Sequence, residues 1–159
     1  MWVMKLELDS ETQFLGRLAL KHKVSMTGYM LTHYKDNKYI YSIVGGFMFG
    51  DEKNKKQLIL DLKKQTELLN IDTNDNFTII ETKQPLISEP VYNPKIIWIE
   101  PVVINHKLGR NIWHMASFDK KVLTDVYNMA KKYFNAKLIK FKKEKLSNIS
   151  ITSVLPELT

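Results

Sequence analysis

Cysteine is absent from this 159-residue chain, which excludes disulfide staples, thiolate nucleophiles and cysteine-ligated metals. Arginine is nearly absent. Arg17 and Arg110 are the only two, so the planar fork that reads base edges and clamps phosphates is scarce. Glycine and proline are too sparse for a low-complexity chain. No apolar run is long enough to span a bilayer; Ile40 to Phe49 is broken by Ser42, Gly45 and Gly46. Met1-Trp2-Val3-Met4-Lys5 lacks the basic-then-apolar order of a secretory leader. A cytoplasmic protein with no membrane partner is expected.

The composition is otherwise that of an ordinary globular protein, with an uneven positive charge. The formal net charge is +7. Lys120, Lys121, Lys131, Lys132, Lys137, Lys140, Lys142, Lys143 and Lys145 stand against only Asp125 and Glu144 in that stretch. Such a surface draws polyanions without sequence preference. The same lysines also suit a solvated helix followed by an edge strand, where lysine blocks further pairing, and this second reading is favoured.

Periodicity sets out the elements. Met1 to Asp9 alternates as a half-buried strand. Ser10 and Gln13 read as a capping box opening a helix with Phe14, Leu15, Leu18, Ala19 and His22 on its apolar side. Met26–Tyr34 and Tyr39–Phe49 form a hairpin around Lys35-Asp36-Asn37-Lys38, with Asp-Asn taking the left-handed turn conformation. Gly50-Asp51 leads into a second helix placing Leu58, Ile59, Leu62 and Leu69 together, and Phe77–Thr82 is the next strand. Strand, helix, strand, strand, helix, strand over residues 1–84 is the split βαβ order of a ferredoxin-like lobe.

Pro85, Pro90 and Pro94 then interrupt the chain. Ile96–Ile104 and Asn111–Phe118 read as strands, Asp119 caps a third helix, and Lys137–Lys145 is a last strand. Residues 85–151 therefore form a partial ββαβ lobe sharing the core, and 152–159 read as a linker. The fold class expected is α+β: antiparallel sheet with helices packed on one side, as one sheet or two.

Chemistry-bearing constellations are few. His22, His33, His106 and His114 lack the paired spacing of metal ligands, so neither metal nor cofactor is expected. Gly45-Gly46 with Gly50 lacks the order of a P-loop or dinucleotide fingerprint; it reads as a bulge or kink, or as a place where a ligand or another backbone comes close. Glu100, inside an apolar strand, needs a partner; Arg110 across the hairpin is the first choice, and a pocket facing a polar ligand the second. Tyr29, Tyr39, Tyr41 and Phe47, with Trp98 and Trp113 on the next hairpin, supply apolar walls with phenolic handles. The candidate ligand-binding residues are Tyr29, His33, Tyr41, Trp98, Glu100 and His114.

The closing Leu155-Pro156-Glu157-Leu158-Thr159 places an extended residue before proline and a helix N-cap residue at its end. It resembles the phrase that introduces the C-terminal helix-turn-helix of archaeal regulators of the bacterio-opsin activator type. At pattern level the opening strand and helix (Met1 to Val24), the glycine-containing hairpin (Val44-Gly45-Gly46) and Ile112 to Ile151 are similar as well. The resemblance implies a non-catalytic sensory or oligomerisation domain of a transcription regulator. Its expected partners are a small-molecule effector, DNA only through a domain not in this sequence, and a second copy in a homodimer. Two rivals stand beside it. One is a small ferredoxin-like enzyme using Glu100 and His114 as acid and base. The other is a lysine-rich nucleic-acid module centred on the last helix and strand.

Overall fold

A computed structural model describes residues 1–75 and 77–147; the expected linker 152–159 and its Leu155–Thr159 phrase lie outside them. β1 (Trp2–Asp9) leads through a 3-10 turn (Ser10–Thr12) into α1 (Phe14–His22). β2 (Ser25–Lys35) and β3 (Tyr39–Phe49) form a long hairpin, followed by α2 (Glu52–Leu62), β4 (Leu68–Asn74) and β5 (Phe77–Pro85). A 3-10 segment (Leu86–Tyr92) precedes β6 (Ile97–Trp98), β7 (Val102–Asn105), β8 (Arg110–Ser117), α3 (Lys120–Tyr133) and β9 (Lys137–Lys143). The fold is α+β and its strands make one antiparallel sheet in the order β4-β5-β3-β2-β7-β8-β1-β9, with β6 also beside β8.

The pairing departs from a ferredoxin-like first lobe. There β1 would lie next to β3; here β1 sits between β8 and β9, and β3 between β2 and β5. The physical reason is that β1 offers apolar residues on both faces. Met4, Leu6 and Leu8 are fully buried on one, and Val3 packs with Ile99 and Ala116 on the other. Such a strand needs neighbours on both sides and cover above and below, which the C-terminal strands supply. β4 is a further departure: Leu69 belongs to this polar edge strand and not to α2.

One face of the sheet carries the helices. Ile71, Ile80, Val44 and Met30 are successive cross-strand partners on it, as are Met26, Ile104, Asn111 and Leu8. At one end α1 and α2 pack together, burying Leu18, Leu58 and Leu62 against Ile80 and the β2–β3 hairpin. At the other, α3 buries Val122, Leu123, Val126, Met129 and Ala130, an i, i+3/i+4 stripe, against β1 and β8. Asp119 caps α3 by accepting from the Lys121 N–H. α1 ends at Lys23 in the left-handed conformation, φ 57°.

Other local expectations are corrected. Ser10 makes no capping box: its hydroxyl donates to Asn111 Oδ1 at 2.6 Å, 101 residues away. The β2–β3 turn does not use a left-handed Asp-Asn; Asp36 Oδ1 accepts from the N–H groups of Lys38 and Tyr39, an Asx-type turn. The bulge in the hairpin lies at Met30–Thr32 on β2, while Gly45 and Gly46 stay in register with β5.

Candidate ligand-binding site

The two helical clusters do not meet over the middle of the sheet. Between them is a cavity of about 470 Å³, within the size range of small-molecule sites. Its floor is the β2–β3 hairpin, where Gly28 and Gly46 are direct cross-strand partners on the helix-bearing face. Neither projects a side chain, so the layer that would fill this space elsewhere in a core is missing. The two glycines are there for different reasons. A Cβ on Gly46 would fall 1.9 Å from the Thr27 carbonyl oxygen, so the backbones need glycine. A Cβ on Gly28 would meet nothing nearer than the Gly45 carbonyl oxygen at 3.7 Å. Gly28 lacks a side chain without being crowded.

Met26, Met30, Val44 and Met48 rise from the sheet around this floor, Leu58 and Leu62 close the α2 side, and Val91, Trp98 and Trp113 close the other. Methionine is the most adaptable of apolar side chains, so the wall can conform to an occupant. Trp113 is held edge-on against Trp98 and Phe134, with ring centroids 6.1 Å apart in both pairs. Tyr92 lines the same space; burial pushes its phenol up to about 12, partly offset by the nearby Ser42 hydroxyl.

Polar groups gather at the start of α1. Gln13 is the N-cap residue, its N–H donating to the Ser10 carbonyl at 3.2 Å. Ser10 is also the residue bound to Asn111, so Gln13 and Asn111 are neighbours through it. Both line the cavity, as does Arg17, whose N–H donates to the Gln13 carbonyl one helical turn on. Asn111 is 1% exposed and its Oδ1 is taken by Ser10, which leaves donors as what its amide has to offer. Gln13 Nε2 is buried without a hydrogen-bond partner among the described residues. An unpaired buried donor costs roughly 1–3 kcal/mol.

The six sequence-level candidates are not brought together. Trp98 lines the cavity; Tyr29 borders it, but its place opposite Gly45 turns its side chain to the face away from Gly28 and Gly46. His33 stacks on Tyr92, centroids 5.4 Å apart, at a separate recess near Glu89 and Asp125. Tyr41 is on the outer side of the hairpin, stacked on Tyr34 with its hydroxyl donating to Asp36; that bond pushes its phenol up to about 12. Glu100 and His114 do approach, Oε1 to Nδ1 at 3.1 Å, so His114 and not Arg110 is the partner of Glu100. Neither lines the cavity. The remaining histidines are apart: His22 bonds Asp61 and His106 bonds Ser25. Among the described residues no group of three or more His, Asp or Glu is placed to hold a metal ion, and no helix is long and apolar enough to cross a membrane.

Sequence reasoning missed Gly28, Gln13 and Asn111. Counting back from the hairpin turn, Lys35 faces Ile40, and the same count carried on puts residue 28 opposite Phe47. The extra residue at the bulge moves its partner to Gly46, and only then do two glycines coincide. Gln13 was legible as a helix start, but its freedom from capping duty depends on Ser10 turning to Asn111. Comparisons with protein-family models, with curated proteins and with solved structures return no match.

Proposed function

We propose that this protein is a non-catalytic ligand-binding regulatory domain whose effector is a small, largely apolar molecule held between the sheet and its helices. The observation that carries the reading is the glycine-floored, methionine-walled cavity of about 470 Å³. Concave, mostly apolar clefts of this size are where small molecules commonly bind. The cavity offers shape, apolar surface and hydrogen-bond donors, without a nucleophile and base in contact. That is the equipment of a receptor. The resemblance of Leu155–Thr159 to the phrase found in bacterio-opsin activator-type regulators makes transcription control the role to which effector binding would be coupled, through a homodimer and a helix-turn-helix. Coupling requires the effector to bind two arrangements of the domain with different affinity.

The test is fluorescence titration with N-phenylnaphthylamine, a neutral apolar dye that brightens on leaving water. The wild type should bind it saturably, and Gly28→Phe, which puts a ring into the cavity, should weaken binding by at least about tenfold. Equal binding by both proteins would remove the cavity as the site. The acid–base rival draws on the 3.1 Å contact of Glu100 and His114, and it places the chemistry away from the cavity.

A further inference from the structure

Resting on the cavity as the binding site, we propose that its ligand is an apolar monocarboxylate, anchored by its carboxylate at the start of α1 through Gln13, Asn111 and Arg17. Three features lead there. The polar groups at this end offer donors: Asn111 Oδ1 accepts from Ser10 at 2.6 Å, leaving its N–H groups, Gln13 has a buried Nε2 without a partner among the described residues, and the exposed Arg17, whose Nη1 also donates to the Glu11 carbonyl at 3.5 Å, has donors only. A group that accepts several hydrogen bonds and carries negative charge matches this set, and a planar guanidinium suits a carboxylate in particular.

The placement follows from local structure. Gln13, the extended N-cap residue, and Arg17 are joined by a 2.8 Å backbone hydrogen bond across the first turn of α1, and both line the cavity. Ser10 ties Gln13 and Asn111 to one point. Gln13, Arg17 and Asn111 line one cavity with mainly methionine, valine, leucine, isoleucine and aromatic side chains, where Glu67, Lys83, Gln84 and Ser88 are further polar members. A head at the donors and an apolar body over Gly28 matches that lining. The net charge of +7 favours the approach of an anion.

Decanoate and decanol share a chain and differ in the head, so the ratio of their affinities within one protein isolates the anchor from the cavity. Each is measured by displacement of N-phenylnaphthylamine. Wild type should prefer decanoate by at least about tenfold, as expected for hydrogen bonds to a charged group. Gln13→Leu and Arg17→Leu should each bring the ratio towards one, and Gln13→Glu, which sets a carboxylate against a carboxylate, should reverse it. A wild-type ratio near one, or a ratio unchanged in all three variants, overturns the anchor and leaves the cavity standing. Failure of both compounds to displace the dye from wild type overturns the ligand class. Absence of dye binding altogether is the separate failure of the cavity reading.

Discussion

Gly28 and Gly46 face each other across β2 and β3, yet adding the same methyl group should move stability in opposite directions. At Gly28 the new Cβ meets its first neighbour at 3.7 Å, an ordinary van der Waals distance. The strand backbone there is not left-handed, so alanine costs no strain and removes the excess freedom of glycine in the unfolded chain. Gly28→Ala should stabilise by roughly 0.5–1 kcal/mol. At Gly46 the Cβ falls 1.9 Å from the Thr27 carbonyl oxygen and 2.8 Å from Gly28 Cα. Both are backbone atoms in the hairpin, so the strands must part and ladder hydrogen bonds lengthen. Gly46→Ala should cost about 2–4 kcal/mol. At about 2–4 °C per kcal/mol for a domain of this size, the two variants separate clearly in a thermal melt. Urea unfolding followed by tryptophan emission gives the free energies directly. Equal destabilisation by both substitutions would mean that the space over Gly28 is filled, and the reasoning that leads to a ligand would fall with it.

Trp113, 6% exposed and wedged between Trp98 and Phe134, should cost about 3–5 kcal/mol when replaced by alanine, read as a lowered urea midpoint. Asp61 is held down to about 2 by hydrogen bonds from Lys21 and His22. A depressed carboxylate stabilises the fold above its ordinary value and stops doing so as pH falls through the folded one. The stability gap between wild type and Asp61→Ala should therefore be constant above about pH 4 and close as the pH falls towards about 2; a gap that persists in acid would refute the link. The Tyr41 phenol, pushed up to about 12 chiefly by its bond to Asp36, should titrate nearer its ordinary range in Asp36→Asn, seen by ultraviolet absorbance difference against Tyr41→Phe.

Local pattern carried most of the element list. The alternation of Met1–Asp9, the stripe of α3 with its Asp119 cap, and the two hairpin strands are in the structure within a few residues of where periodicity places them. Edge strand β4 escaped because Leu68–Asn74 is rich in asparagine and aspartate, residues disfavoured in strands, and its pairing with β5 supplies the stability that its propensity does not. Of the candidate site, the aromatic wall at Trp98 was legible as apolar excess. The donors were not, since an amide at a helix start looks the same whether it caps the helix or faces a cavity.

The sequence by itself determined the α+β class, the exclusion of cysteine chemistry and the amphipathic faces, because each depends on residue type and on periods of two or 3.6. Tertiary structure decided which strands are neighbours. That choice put β1 between β8 and β9, brought Ser10 to Asn111, and, through one bulge, set Gly28 opposite Gly46. These are contacts between distant parts of the chain, selected by which apolar faces can be covered together. A register shifted by one residue changes every partner, and no local period records it.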